Sequence, residues 1–264
     1  MRLITAVGEP PESFARVEPP TRAPLRVGAV QQRWHEDPEE HQEALAEGIR
    51  MAAAEGAKLV CLQELTLSPY FAVIEDGPKE AKEDIPDGPT TRFAARLAKE
   101  TGAHVHASLY ERADAEDDDL GFNTAIVVSP QGEVVARTRK LHIPVTAGYY
   151  ENRYFRPGPA DDSFPVIELA EARMGFPTCW DQWFPEVARA YSVEGAEVIV
   201  YPTAIGSEPD HPGFDTEPLW ERVITANGIA NGPGNGGLSL RIEREIAALP
   251  RSLYINQSKI VQGE

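Results

Sequence analysis

Short apolar runs of strand length alternate with segments of helical periodicity along this chain, and this alternation restricts its fold more than any other feature. Strands are predicted at 25–31, 58–62, 104–110, 123–129, 133–138, 163–169, 173–178 and 197–201, and helices at 38–55, 89–101, 185–193 and 217–230. Some of these strands follow one another as hairpins, and others are separated by helices. The pattern therefore predicts an α/β domain in which helices cover mixed sheets.

The first predicted helix has clear signals at both ends. Asp37 is a good N-cap residue, and Pro38 suits the first helical turn. Leu45 and Ile49 then recur at helical spacing, and Gly56 stands where a glycine commonly ends a helix. The apolar run that follows is predicted to be a buried strand.

Composition divides the chain into three segments. Residues 1–24 are predicted to be an irregular N-terminal extension because they are rich in proline, at Pro10, Pro11, Pro19, Pro20 and Pro24. Residues 25–232 hold the alternating pattern and are predicted to form one domain, which the length of 264 residues can accommodate. Residues 233–264 are predicted to be a divergent tail. This tail is first glycine-rich and then helical, with three apolar residues on one face, namely Ile242, Ile246 and Leu249.

The charge balance excludes two classes of partner. Lysine and arginine number 25 against 42 aspartates and glutamates, which gives a formal net charge of −17. Because nucleic acids and anionic membranes repel an acidic surface, neither is expected as a partner, whereas a cationic small molecule would be attracted. No run approaches the roughly 20 apolar residues that span a membrane, and the first ten residues lack the apolar core of a secretory signal. Two cysteines exclude a disulfide framework, so a cytoplasmic location is expected.

Cys179 lies where a strand signal meets a helix signal, in the segment GFPTCWDQWFPE. Backbone N–H groups at such a junction lower the pKa of a thiol and can bind an oxyanion. A free cysteine is more often a small buried apolar residue, so both roles stay open on composition alone. Cys61 lies inside an apolar run and is predicted to be a core residue.

Glu64 and Lys140 each follow a predicted strand. Glu64 ends the run LVCLQE, and a carboxylate among apolar neighbours can have a raised pKa and transfer protons. A helix cap or an ion pair is the alternative role for it. Lys140 lies in RTRKLHIP, where it could hold a developing negative charge or be a solvated residue beside Arg137 and Arg139.

His104 and His106 would lie on the same face of one strand, which is a spacing that can bind a metal ion. No third ligand follows at a telling spacing. A structural role is therefore predicted for both histidines, and no metal site is expected.

Taken together, these motifs resemble those of the nitrilase superfamily of carbon–nitrogen hydrolases. The run ending in Gln-Glu places Glu64 at the first catalytic position of the family, RKLHIP places Lys140 at the second, and CWDQWFPE places Cys179 at the third. The three motifs also occur in the family's order. Glu151, in GYYENRYFRPG, corresponds to a second family glutamate that braces the lysine. The resemblance extends from residue 25 to about residue 232.

The resemblance implies a four-layer α-β-β-α sandwich and a reaction that needs neither a metal nor an organic cofactor. Glu64 would take the proton of Cys179, and the thiolate would attack the carbonyl carbon of the substrate. Lys140 and a backbone N–H beside the cysteine, that of Trp180, would bind the oxyanion. Glu151 would pair with Lys140 and help to place the substrate. A homo-oligomer is also implied.

The motifs CWDQWFPE and YPTAIGSEP resemble in particular the N-carbamoylputrescine amidases of polyamine biosynthesis. The resemblance implies hydrolysis of an N-carbamoyl amine, through a cysteine thioester, to an amine, ammonia and carbon dioxide. Hydrolysis of an N-carbamoyl amino acid or of β-ureidopropionate is the alternative. Three acidic residues in or beside the motifs could meet an ammonium group of the substrate, namely Asp181, Glu186 and Glu208.

The match to the family pattern ends near Gly232. Family members continue with further strands, whereas residues 233–264 are predicted to be loop and helix. The second sheet is therefore predicted to lack part of its C-terminal strands, which would expose a sheet edge. An inactive, truncated family member is the alternative from another functional class. A cysteine-based binding or redox protein is a weaker one, because no CxxC pair includes Cys179.

Overall fold

The computed structural model describes residues 1–5, 25–113, 119–146, 148–169, 172–205, 211, 213–231 and 238–242. In these ranges the strands are β1 (Val27–Ala29), β2 (Leu59–Cys61), β3 (His104–Glu111), β4 (Phe122–Val128), β5 (Val134–Arg139), β6 (Val145–Thr146), β7 (Tyr149–Tyr150), β8 (Ile167–Leu169), β9 (Ala172–Gly175), β10 (Val198–Pro202) and β11 (Leu238–Ile242). The α-helices are α1 (Pro38–Ala54), α2 (Pro89–Thr101), α3 (Pro185–Val193) and α4 (Glu217–Asn231).

Two mixed sheets form the centre of the fold. The first sheet has the order β1-β2-β3-β4-β5, in which β1 to β3 are parallel and β3 to β5 are antiparallel. The second sheet has the order β11-β10-β9-β8, in which β8 is antiparallel to β9 and the other pairs are parallel. A separate antiparallel ribbon pairs β6 with β7. The prediction of mixed sheets is therefore confirmed.

The two sheets pack face to face, and the helices cover their outer faces. The core between the sheets joins residues of the first sheet, such as Cys61 and Val127, to residues of the second, such as Met174 and Val200. Helices α1 and α2 pack on the outer face of the first sheet, and α3 and α4 pack on that of the second. This is possible because successive strand residues point to opposite faces of a sheet. The predicted α-β-β-α sandwich is confirmed.

The helix ends follow the sequence signals. The Asp37 carboxylate accepts hydrogen bonds from the backbone N–H groups of Glu39 and Glu40 at 2.8 and 2.9 Å, as an N-cap residue does. Helix α2 ends at Thr101, and Gly102 follows with φ of 71°, the left-handed conformation that favours glycine. Among the helices in the described ranges, none is long and apolar enough to cross a membrane.

Residues 238–242 form a strand, so the prediction of loop and helix is wrong for this segment. The backbone of β11 runs parallel to β10, from the pair Val198–Leu238 to the pair Pro202–Ile242, so this segment extends the second sheet. The segment LSLRI alternates apolar and polar residues with the period of a strand, and it satisfies backbone groups along the edge of β10. The helix prediction linked Ile242 to Ile246 and Leu249, and these two lie outside the described residues, as do residues 6–24 of the N-terminal extension.

Strand β9 is shorter than predicted, because it ends at Gly175 rather than at Thr178. Pro177 therefore lies outside the sheet, and its missing N–H removes no sheet hydrogen bond. Gly175 itself is required by packing. A Cβ atom there would stand 2.2 Å from the Cδ1 atom of Tyr191, so only glycine fits at this position beside the ring.

His106 is fully buried in β3, and its ring stacks on Phe176 with the ring centroids 5.2 Å apart. Both of its ring nitrogens lack a hydrogen-bond partner among the described residues. His104 stays partly exposed at the start of the same strand. No group of three potential metal ligands occurs in the part of the chain that the structure describes. The structural role of the two histidines stays a prediction.

The burial of His106 should make the protein sensitive to acid. Burial lowers the pKa of His106 from 6.5 to about 3. Between these two values the unfolded chain binds a proton that the folded chain does not, so stability is lost as the pH falls from 6.5 towards 3. At pH 5 the loss is about 2 kcal/mol. Between pH 7.5 and pH 5, we expect the free energy of unfolding, measured in urea, to fall by about 2 kcal/mol less in His106→Leu than in the wild type. The same pH dependence in both proteins would contradict this prediction.

Candidate active site

The four residues that carry the family resemblance come together beyond the ends of strands. Glu64 follows β2, Lys140 follows β5, Glu151 follows β7 and Cys179 follows β9. The side chains of Glu64 and Lys140 are fully buried, and Cys179 is 6% exposed. Charges and hydrogen bonds act more strongly in such an environment than in water.

Lys140 lies between two carboxylates. Its Nζ donates hydrogen bonds to Oε1 and Oε2 of Glu151 at 2.8 and 2.7 Å, and to Oε1 of Glu64 at 3.2 Å. Burial by itself lowers the pKa of Lys140, but the charges of Glu151 and Glu64 outweigh burial and raise this pKa above its ordinary value. Lys140 is therefore an ammonium ion at neutral pH.

The Glu64 carboxylate is held in place by two further donors. The side-chain amide of Asn123, on β4, donates to Oε1 at 2.6 Å, and the backbone N–H of Ala204 donates to Oε2 at 2.9 Å. The hydroxyl of Ser108, on β3, in turn donates to the side-chain oxygen Oδ1 of Asn123 at 3.3 Å. Asn123 was predicted to lie on a strand, and its sequence context indicates no functional role. Its contact with Glu64 arises only in the folded sheet, so no local pattern could have revealed it.

Glu151 is held by Lys140 and by Tyr70, whose hydroxyl donates a hydrogen bond to Oε1. Burial raises the pKa of the Glu151 carboxyl, and the charge of Lys140 opposes that rise. The pKa of the Tyr70 hydroxyl is also raised, by burial and by the charge of Glu151, so this hydroxyl stays a donor. Tyr70 lies six residues after Glu64, and no motif in the sequence marks it as a site residue.

The backbone at Cys179 is strained. Cys179 begins a short 3-10 helix, Cys179–Trp183, and has φ of 38°, which residues with a side chain rarely adopt. Such a conformation costs on the order of 1–3 kcal/mol and is typical of functional sites. The first hydrogen bond of this turn joins the N–H of Asp181 to the Thr178 carbonyl at 2.9 Å. The N–H of Trp180 precedes it and has no partner within the helix.

The Cys179 thiol is protonated at rest. Burial raises its pKa well above the ordinary value, the charge of Glu64 raises it further, and the charge of Lys140 opposes both. A side-chain hydrogen bond with Glu64 adds to the rise of this pKa. Free ionisation would therefore be costly, whereas transfer of the proton to Glu64 creates no additional charge. The arrangement suits a nucleophile that is activated only as it reacts.

Two amide side chains support the turn that carries Cys179. The side-chain amide of Gln182 donates to the backbone carbonyl oxygen of Cys179 at 3.0 Å. The side-chain amide of Asn227, on α4, donates to the backbone carbonyl oxygen of Gln182 at 2.7 Å. Both residues are buried. Gln182 lies inside the CWDQWFPE motif, which by itself indicates no role for this residue, and no local signal marks Asn227.

The remaining candidates occupy different environments. The ring of Trp180 is partly exposed and lies 5.6 Å from the ring of Trp183, centroid to centroid. Glu186 is exposed in the first turn of α3, and its contact with a substrate stays a prediction. Asp181 is fully buried and accepts backbone hydrogen bonds, so the structure does not offer it to a substrate. Glu208 lies outside the described residues.

Comparisons with known proteins identify the family of this chain. The family model of the carbon-nitrogen hydrolases matches residues 26–232. The chain is 40% identical over 185 residues to N-carbamoylputrescine amidase of Arabidopsis thaliana. The aligned region covers 69% of this chain and 60% of that protein. It is 35% identical over 210 residues to citrullinase of Francisella tularensis, and this alignment covers 79% of this chain and 71% of that protein.

A solved structure extends the likeness to the fold. The crystal structure of a carbon-nitrogen hydrolase from Helicobacter pylori G27 matches with a TM-score of 0.68 at 29% identity, covering 83% of this chain and 73% of that one. Because the family model spans most of the chain, and the relatives agree with it, the assignment does not depend on one motif. The chain therefore belongs to the carbon-nitrogen hydrolase family of the nitrilase superfamily, and it is an amidohydrolase.

Proposed function

We propose that this amidohydrolase cleaves the ureido group of an N-carbamoyl amine, with N-carbamoylputrescine as its preferred substrate. The observation that carries the proposal is the buried cluster in which Lys140 lies between Glu64 and Glu151, with the Cys179 thiol near enough that the charges of Glu64 and Lys140 act on it. Attack on a carbonyl carbon requires a nucleophile, a proton acceptor and a fixed cation in one buried site. The identity to plant N-carbamoylputrescine amidases supports the choice of substrate.

In the first half of the reaction, the Cys179 sulfur bonds to the carbonyl carbon as its proton passes to Glu64. The negative charge that develops on the substrate oxygen is bound by Lys140 and by the N–H of Trp180. Glu64 then gives the proton to the terminal nitrogen. The carbon–nitrogen bond breaks, ammonia leaves, and a carbamoyl thioester remains on Cys179.

In the second half, water attacks the thioester while Glu64 takes one of its protons. The carbon–sulfur bond breaks, the proton returns to the Cys179 sulfur, and a carbamic acid leaves. This acid divides into the amine and carbon dioxide. Glu64 thus acts as base and acid in turn, and a polar site that holds both forms suits this role.

Citrulline is a second candidate substrate, because the chain is 35% identical to a citrullinase. It carries the same ureido group, but an amino acid group replaces the terminal ammonium of N-carbamoylputrescine. The two candidates therefore differ at the far end of the substrate and not in the reacting bond. β-Ureidopropionate, which ends in a carboxylate alone, is the third possibility.

A matched pair of substrates tests the preference. We expect ammonia release from N-carbamoylputrescine, and a kcat/KM about 10- to 100-fold lower for N-carbamoylbutylamine, which lacks only the terminal ammonium, because a hydrogen bond to a charged group contributes about 1.5–3 kcal/mol. Glu186→Gln and Glu208→Gln identify the acceptor, since the variant of the residue that binds the ammonium should lose this preference.

The outcomes separate the remaining possibilities. Faster ammonia release from citrulline or β-ureidopropionate than from N-carbamoylputrescine would overturn the substrate preference. The proposed hydrolysis of a ureido group would still hold. A protein that unfolds cooperatively on heating and yet releases ammonia from none of these ureido compounds would favour the inactive family member.

A further inference from the structure

Asp181, in the turn that carries the nucleophile, joins two separate segments of the site. Its side chain is fully buried, and its Oδ2 accepts the backbone N–H of Thr178 at 3.1 Å. Its Oδ1 accepts the backbone N–H groups of Leu141 at 3.2 Å and His142 at 2.9 Å. Thr178 immediately precedes the nucleophile, and Leu141 immediately follows Lys140. One carboxylate thus connects the segment of the cysteine to the segment of the lysine.

The ring of His142 completes this contact. Its Nδ1 donates to Oδ1 of Asp181 at 2.8 Å, and the ring stacks on Phe184, with the centroids 3.5 Å apart and the planes 10° from parallel. All these partners of Asp181 offer N–H groups, and both carboxylate oxygens accept them. An ionised carboxylate satisfies that arrangement, because it is a pure acceptor. Asp181 is therefore a buried anion whose hydrogen bonds hold the backbone.

The contacts of Lys140 show what the Asp181 carboxylate adds. The backbone N–H of Lys140 donates to the Asn123 carbonyl at 2.8 Å, and its carbonyl accepts from Gly158 at 2.9 Å. Its ammonium contacts Glu64 and Glu151. These partners tie Lys140 to the side of the first sheet. The hydrogen bonds that the N–H groups of Leu141 and His142 donate to Asp181 connect Lys140 to the turn after β9.

We propose that Asp181 is a positioning residue, whose carboxylate sets the place of the Lys140 ammonium relative to the Cys179 sulfur. This proposal rests on the proposed function, because it assigns Lys140 the oxyanion and Cys179 the attack. The attraction between an ammonium and a developing anion depends on their distance, and a displacement of about 1 Å can cost about 100-fold in rate. Asp181 acts through these two residues and does not touch the substrate.

The test is Asp181→Asn, which keeps the size of the side chain and replaces one acceptor oxygen by a donor that opposes the backbone N–H groups. We expect kcat for N-carbamoylputrescine to fall about 10- to 100-fold with little change in KM. We also expect the pH midpoint for alkylation of Cys179 by iodoacetamide to move up by about one unit, because a displaced ammonium stabilises the thiolate less.

The direction of this shift distinguishes positioning from charge. Loss of a negative charge near a thiol favours the thiolate and would by itself move the midpoint down. Only displacement of the Lys140 ammonium moves it up. Alkylation requires no hydrolysis, so this readout remains valid even if the proposed substrate is wrong.

Two further variants complete the experiment. Glu83→Gln changes a carboxylate that accepts two hydrogen bonds from Thr90, at 2.7 and 2.6 Å, at the start of α2, so it measures the general cost of such a change. It should leave the alkylation profile and kcat as in the wild type. His142→Phe keeps a ring on Phe184 and removes one donor to Asp181. It should give a smaller upward shift, and it decides the question if Asp181→Asn does not fold.

A downward or absent shift in Asp181→Asn, with kcat unchanged, would overturn the positioning role while leaving the hydrolysis intact. If Asp181→Asn cannot be purified folded, a wild-type profile in His142→Phe would overturn it in the same way. If Asp181→Asn shows the upward shift and the wild type hydrolyses none of the ureido compounds, the positioning role is supported and the proposed function is overturned.

Discussion

Replacing Cys179 by alanine is expected to lower kcat by about four orders of magnitude or more, because the variant cannot form the thioester and removal of a nucleophile disables the whole catalytic unit. The fold should persist. Alanine meets the same backbone restriction at φ of 38° as cysteine does, and the change removes one sulfur atom, so unfolding should become easier by only about 1 kcal/mol. Ammonia release and urea unfolding measure the two effects.

Cys61 provides the matched control. It is the other cysteine of the chain, is fully buried between the sheets, and its thiol pKa is raised by burial alone. Cys61→Ala should therefore retain activity. Treatment with iodoacetamide followed by mass spectrometry should label the wild type and Cys61→Ala once and Cys179→Ala not at all. Turnover at the wild-type rate in Cys179→Ala would refute the cysteine mechanism.

Replacing Lys140 by methionine is expected to damage both activity and stability. The variant loses the cation that we propose binds the oxyanion, and the loss of one such donor costs about 100- to 1000-fold in kcat. It also leaves Glu64 and Glu151 buried without their shared partner, since both contact the Lys140 ammonium in the wild type. Removal of one partner of a buried ion pair costs about 3–5 kcal/mol.

The stability loss in Lys140→Met should depend on pH. Without the ammonium, repulsion between Glu64 and Glu151 raises the pKa of the pair in the folded protein above that in the unfolded chain. The folded variant then binds protons that the unfolded chain releases, so its stability is greater at low pH and is lost as the pH rises. Urea unfolding at pH 6 and pH 8 should show this difference in the variant.

The double variant Lys140→Met/Glu151→Gln separates the two effects. Removing one of the two carboxylates should restore part of the stability, because no repelling pair remains, but it cannot restore the cation. Activity should therefore stay as low as in Lys140→Met. A single variant as stable as the wild type at pH 8 would show that Lys140 does not hold the two carboxylates together.

Local patterns predicted most elements of the fold and failed at the tail. Asp37 and Gly56 marked the two ends of α1, and Gly56 has φ of 90° just after this helix, because capping depends on a few neighbouring residues. Strand β11 was not predicted, because its alternating pattern covers only five residues after a glycine-rich segment. The helical spacing of the apolar residues that begin at Ile242 favoured a helix instead. Pairing with β10 decides its state, and that contact joins residues about forty positions apart.

For the site, the motifs identified Glu64, Lys140 and Cys179 by likeness, and they could not reveal what surrounds them. Asn123 is 59 residues from Glu64 along the chain, and Ala204 is 140 residues from it. Hydrogen bonds over such separations are set by sheet register and by the packing of one sheet on the other, which leave no local trace in the sequence.

The sequence by itself determined the alternation of strands and helices, the acidic surface and the three motifs of the family. These features depend on periodicity, on charge and on short segments whose chemistry is local. Only the tertiary structure decided that Asp181 holds the backbone instead of facing a substrate, that Tyr70 and Asn123 belong to the site, and that β11 extends the second sheet. The physical reason is that burial and contacts between distant segments, and not residue type, set the role of a polar group.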